Sequence, residues 1–166
     1  MALPNPIGIR RHLSLTVDGR SLTGTFLNTG VPHLVVPVSR LAQVDVARLG
    51  RRLRRHRAFA PRGTTVNFIQ SEGCRGSRLS VRTYERGVEE ETLACGTGVA
   101  ASAIAHALQQ AGALPRRYRI QVRTRSGQIM TVSCCAAIRA QEVRVSDVVL
   151  EGSARRIVEA FPQNTN

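Results

Sequence analysis

The stretch TGVAASAIAHALQQ, Thr97 to Gln110, constrains the fold of this chain more than any other. Val99, Ala100, Ala101, Ala103, Ile104, Ala105, Ala107 and Leu108 leave almost no polar face at helical spacing. A helix that is apolar nearly all round has to be buried on most sides. The rest of the chain must therefore build a wall around it. Gly112 is the candidate C-cap, and Pro115 prevents continuation.

That wall reads as strands. HLSLTVDGRSLTGTFL predicts two strands joined by Asp18-Gly19, a strong hairpin signal. HLVVPV (33–38) predicts a buried strand, and TTVNFIQ and SRLSVRTYE alternate around the turn-like SEGCRG. RYRIQVRT, IMTVSC and EVRVSDVVL follow the apolar helix, with turns at Ser126-Gly127 and near Gln141. Val44 to Arg57 carries apolar residues at Val46, Leu49 and Leu53, which predicts an amphipathic helix with arginines outward. Regular βαβ alternation is missing, which argues against a doubly wound fold. The expected class is α+β: an antiparallel β-sheet wrapped around a central apolar helix, in a single domain over 1–166.

Composition narrows the classes of function. With 166 residues, 42% hydrophobic and 21% charged, the chain suits one globular domain. No apolar run approaches the ~20 residues needed to span a bilayer. MALPNPIGIRRHLSL lacks the apolar core of a secretory signal, so a cytoplasmic protein without a membrane partner is expected. Cys74, Cys95, Cys134 and Cys135 form no CxxC pair, which argues for free thiols and against a zinc site. Cys74, Cys134 and Cys135 read as small buried hydrophobes.

The net charge of +13 is carried by arginine, densest in LGRRLRRHRAF and PRRYRIQVRTR. It keeps open an arginine-rich nucleic-acid-binding or partner-binding protein on an inactive scaffold. Against nucleic acid, aromatic residues make up only 4% and none interleaves with the first basic run to stack bases. A solvated helix face accounts for the charge more simply.

Cys95 stands apart from the other cysteines because Gly96-Thr97-Gly98 follows it at the start of the apolar helix. Unpaired N–H groups and the helix dipole favour negative charge there, a setting that lowers a thiol pKa. The two glycines would let an anionic ligand reach the backbone, and Thr97 adds a hydroxyl. Glu89, Glu90 and Glu91 would oppose a thiolate if near, so they are expected to face away. Glu85-Arg86 brings a carboxylate and a guanidinium to one loop, suited to an α-amino group and a carboxylate respectively. His33 can orient a thiol or shuttle a proton, or simply be a core histidine.

TYERGVEEETLACGTGVAASAIA resembles the C-terminal signature of the diaminopimelate epimerase family. The resemblance continues through FLNTGVPHLVVPV, VDVARLGRRLRRHRAFAPRGTTVNFIQ and VVLEGSARRIV. It implies an epimerase of lysine and peptidoglycan biosynthesis, without cofactor or metal, that interconverts LL- and meso-diaminopimelate. Two cysteines on opposite faces of the substrate α-carbon transfer the proton. By resemblance, Cys95 is one of these cysteines, and Gly96 and Thr97 hold the reacting carboxylate through backbone N–H groups. Glu85 and Arg86 bind substrate, and His33 with Glu85 tunes the thiols. Preorganised dipoles and geometry supply the acidity.

Three departures from the family pattern matter. Val31 stands where many members have an asparagine, in Gly-Val-Pro-His. Thr65 occupies the position of another substrate-contacting asparagine, with Asn67 two residues on. Val31 offers no hydrogen-bonding group, and Thr65 reaches less far than an amide. Finally, the resemblance covers the second of two similar halves, with one Cys-Gly-x-Gly helix start. On this reading the N-terminal domain is absent and the chain alone is inactive. The surface around Cys95, Thr97 and His33 should then be open and partly apolar, suited to a separate N-terminal half or a homodimer. A proline or hydroxyproline epimerase of the same superfold is the rival within the enzyme class.

Overall fold

Among the described residues, nine strands form one sheet with an α-helix on each face. They are seen in a computed structural model that describes residues 1–73 and 76–152. The strands are β1 (Ile7–Val17), β2 (Arg20–Asn28), β3 (Pro32–Pro37), β4 (Thr65–Glu72) and β5 (Arg78–Glu85), then β6 (Glu90–Thr92), β7 (Arg116–Arg123), β8 (Ile129–Arg139) and β9 (Glu142–Gly152). Helix α1 (Val46–Arg54) lies between β3 and β4, and α2 (Gly96–Gln110) between β6 and β7. The strand order is β1-β2-β3-β4-β5-β7-β8-β9, with β6 paired to β5.

Most ladders are antiparallel, as expected, but β3–β4 and β5–β7 are parallel. The physical reason is the placement of the helices. A helix is long enough to carry the chain back to the start of a neighbouring strand, whereas a tight turn is not. α1 and α2 each make such a crossover. Ahead of β1, Ala2 bridges Val149 and the Leu3 N–H donates to the Val148 carbonyl at 2.9 Å. The two ends of the strand order are thereby joined through one stretch of backbone, and α2 packs against seven strands inside the curve.

Strand alternation sorts the core into two clusters. Val35, Ile69, Leu79 and Val81 pack with Val99, Ile104 and Leu108 of α2. The intervening residues Leu34, Val36, Val66, Phe68 and Tyr84 pack with Val46 and Leu53 of α1. Eleven consecutive α2 residues, Gly98 to Leu108, are buried, and full burial of each large aliphatic among them contributes about 2 kcal/mol. Gly50 gives α1 its close approach, because a Cβ there would strike the Tyr84 side chain.

Local sequence signals explain most of the boundaries. Asp18 and Gly19 both have positive φ, 51° and 74°, the geometry of a two-residue hairpin turn. α1 is shorter than the Val44–Arg57 expected, because the Asp45 side chain caps it by accepting from Arg48 N–H at 3.0 Å. Separate 3-10 turns at Leu41–Gln43 and Arg57–Phe59 take up the flanks. The last turn of α2 is followed by Ala111 in extended conformation rather than by a Gly112 cap. β8 runs on through Cys134 and Cys135, with a register shift between Ser133 and Cys135. Cys134 is buried and Cys135 half-buried, and both are free thiols. Cys74 lies outside the described residues, as does the last part of the VVLEGSARRIV resemblance.

Candidate active site

At the N-terminal end of α2, the sheet face that packs on the helix changes from apolar to polar. Alternation along β3, β4 and β5 brings His33, Thr65, Asn67, Thr83 and Glu85 to this face. His33 sits opposite Thr65, and Asn67 lies between Val35 and Thr83. His33, Thr65, Asn67 and Thr83 are buried, while Glu85 and Arg86 are partly exposed. Polar side chains on the inner face of a sheet need internal partners or a ligand.

Cys95 is the N-cap of α2, in extended conformation, and its carbonyl accepts from Val99 N–H at 2.8 Å. Its Sγ lies 3.6 Å from the Thr97 hydroxyl oxygen. Burial pushes the thiol above its ordinary pKa, and the nearby Glu85 carboxylate pushes the same way. The Thr97 hydroxyl and the N–H groups of Gly98 and Thr97 pull downward but do not prevail. The lowered pKa expected from the helix start is thus corrected. Desolvation of the charged form outweighs the donors when the sulfur is mostly out of water.

The two glycines of the motif separate in role. A Cβ on Gly98 would stand 2.5 Å from Asn67 Oδ1, so this glycine is required by internal packing. A Cβ on Gly96 would meet only Leu150, at an ordinary 3.7 Å, and Gly96 is exposed. Only Gly96 is therefore free of an internal demand and available to a ligand. Across from this turn, the Thr29 hydroxyl donates to the Thr97 carbonyl at 3.2 Å, tying the β2–β3 loop to α2. In that loop Val31 is exposed, as is Leu93 just ahead of Cys95.

Arg86 lies at the end of β5. Its backbone N–H donates to the Thr65 hydroxyl at 3.2 Å, and its guanidinium donates to the Arg62 carbonyl at 3.3 Å. His33 is completely buried, which corrects the open surface expected around it. Burial, reinforced by the positive charge of Arg86, holds its pKa down at about 4, so the ring is neutral at pH 7. Asn67 Nδ2 lies 3.1 Å from His33 Nδ1, and Asn67 Oδ1 accepts from the Thr83 hydroxyl at 3.0 Å.

The acidic run ahead of the motif is largely drawn off, as expected. Glu89 pairs with Arg54 at 2.7 Å and Arg55 at 3.5 Å. Glu91 receives a bidentate Arg82 at 2.7 and 2.8 Å, and Arg125 at 3.0 Å. Among the described residues, Glu85 is the carboxylate that acts on Cys95.

The sequence-predicted residues thus converge: Cys95, Gly96, Thr97, Glu85, Arg86, Thr65 and His33 share one end of α2 and the facing strands. Asn67 and Thr83 complete the buried polar set, and Thr83 was not foreseen. An alternation count would have found it, since TYE places Thr83 and Glu85 on one face and Tyr84 on the other.

The chain is similar to known proteins in sequence and in fold. A family profile described as diaminopimelate epimerase matches residues 25–153. The diaminopimelate epimerase of Aquifex aeolicus is 44% identical over 146 residues, 88% of this chain and 48% of its own length. That of Hydrogenobaculum sp. is 36% identical over 154 residues, 92% of this chain and 50% of its own. The chain therefore spans about half the length of these curated relatives. In fold it is similar to a hydroxyproline epimerase from Agrobacterium vitis, with a TM-score of 0.61 at 16% identity. That match covers 91% of this chain and 48% of the other. The family profile covers most of the chain, and the chain belongs to the diaminopimelate epimerase family.

Proposed function

We propose that this chain supplies one of the two proton-transferring thiols of a cofactor-independent diaminopimelate epimerase. The observation that carries the reading is the Cys95 turn: a half-buried thiol at the start of a buried helix, with backbone N–H groups beside it and within the field of the Glu85 carboxylate. Family membership supports the reaction class, and the position of Cys95 at the start of α2 supports its role.

In one direction Cys95, as thiolate, takes the substrate α-proton and becomes the thiol. A second thiol on the opposite face returns a proton to the α-carbon and is left as thiolate, so protons and charge balance. In the reverse direction the roles exchange. The raised pKa of Cys95 makes the thiol its resting form, which suits the donor role. The N–H groups of Gly96 and Thr97 hold the reacting carboxylate, where negative charge develops. Glu85 takes the α-ammonium, and Arg86 a carboxylate. Thr65 positions the Arg86 backbone through its hydroxyl, and its remaining hydrogen-bond capacity faces the substrate. Val31 cannot contact a distal amino-acid group by hydrogen bond, so recognition there falls to other residues.

The second thiol is proposed to lie on a complementary half, on the same polypeptide or another, seated over the exposed Cys95 turn. Incubation with LL-diaminopimelate in D2O, followed by NMR, tests both parts. Inversion should require Cys95 and should appear only when the complementary half is present. Inversion that survives Cys95→Ala would remove Cys95 from the chemistry, and inversion by residues 1–166 alone would remove the need for a complement.

A further inference from the structure

The buried hydrogen bonds below α2 decide which nitrogen of His33 carries a proton. The Leu34 carbonyl can only accept, and it lies 3.3 Å from Asn67 Nδ2, which fixes the orientation of the amide. The Thr83 hydroxyl donating to Oδ1 at 3.0 Å agrees with that orientation. The second N–H of the same amide then points at His33 Nδ1, 3.1 Å away. Nδ1 must accept, so a neutral imidazole carries its hydrogen on Nε2. His33 Nε2 is fully buried and finds no hydrogen-bond partner among the described residues. The Asn67 oxygen also lies directly under the first turn of α2, where Gly98 lacks a Cβ. The clamp and the Cys95 turn are therefore in contact.

We propose that Asn67, steadied by Thr83, is a positioning residue that sets His33 as a neutral Nε2–H hydrogen-bond donor, so that His33 gives a hydrogen bond to an acceptor brought into the site and does not take up a proton as a base. The lone pair of Nδ1 is occupied by Asn67, and Nε2 has no lone pair to offer. Arg86 is the charged group that acts on His33, and it too disfavours the imidazolium. The acceptor is an anion or carbonyl of the bound state, a thiolate or a substrate carboxylate. This role rests on the proposed reaction, whereas the tautomer does not.

The test is long-range 1H–15N correlation on the full chain labelled with [15N]histidine, without substrate. His33 should show the neutral, Nε2-protonated pattern at pH 7. In Asn67→Asp the partner of Nδ1 becomes an acceptor only, so the ring should switch to Nδ1–H. Its titration midpoint should then rise by about one to three pH units. An Nδ1–H or imidazolium pattern in the unmutated chain at pH 7 overturns the inference without any variant. An unchanged tautomer in a folded Asn67→Asp protein overturns it as well. With the complementary half present, the acid limb of α-proton exchange should move in Asn67→Asp by the same amount as the His33 titration. Exchange that proceeds with an unmoved acid limb would strip the clamp of its functional role. Absent exchange with the Nε2–H tautomer in place would sink the proposed reaction and leave the clamp standing.

Discussion

Gly98 Cα and Asn67 Oδ1 are so close that a single methyl group at position 98 would come within 2.5 Å of the oxygen. The oxygen cannot retreat freely, because the Thr83 hydroxyl and the His33 ring hold the amide on either side. The glycine that looks like a ligand-binding feature is therefore first a packing requirement, and it couples the Cys95 turn to the buried polar strand face.

Gly98→Ala should accordingly destabilise the fold by about 1–3 kcal/mol, the usual cost of overpacking. Gly96→Ala, which would meet only Leu150 at an ordinary 3.7 Å, should cost less than half as much. Urea unfolding of the two variants side by side checks the ranking, and equal losses would count against the contact.

Arg82 joins three elements: it grips Glu91 and donates to the Leu41 and Val44 carbonyls at 3.1 and 3.0 Å. Arg82→Met should lower stability by about 2 kcal/mol, since Glu91 keeps only the more exposed Arg125 and two carbonyls lose a donor. Arg119→Met, whose pair with Glu151 is exposed, should cost no more than about 0.5 kcal/mol. Chemical denaturation of both variants tests the contrast.

Buried His33 makes acid stability diagnostic. Its folded pKa, about 4, lies below the ordinary value of 6.5, so the unfolded chain binds the extra proton first as pH falls. The neutral ring's contribution is intact above pH 6.5 and is lost between 6.5 and about 4, amounting to about 3 kcal/mol over that window. His33→Gln should flatten this part of the stability curve, and an unchanged acid slope would place the titration elsewhere.

The Cys95 thiol should alkylate more slowly than a free cysteine at pH 7 and accelerate only at higher pH, because its pKa is raised. Glu85→Gln removes a charge that opposes the thiolate and should speed alkylation. Thr97→Val removes a donor and should slow it. Mass spectrometry of iodoacetamide-treated protein resolves Cys95 from the other thiols and reads all three rates.

Much of this fold is written locally in the chain. An apolar helix had to be enclosed, alternating segments supplied the strands, Asp18-Gly19 supplied a hairpin, and Gly96 and Gly98 marked the turn at the start of α2. These features are local, encoded in periodicity and in the conformational limits of single residues. Three things were decided only by tertiary structure. The parallel pairing of β3 with β4 and β5 with β7 depends on where two crossover helices land. The direction of the Cys95 pKa shift depends on how far the sulfur is withdrawn from water, which no local motif specifies. The His33 tautomer depends on Asn67 and Thr83, which are far from it in sequence yet brought beside it by the ladder. Desolvation and hydrogen-bond direction are properties of the assembled environment, and they exist only once the sheet has closed on its helix.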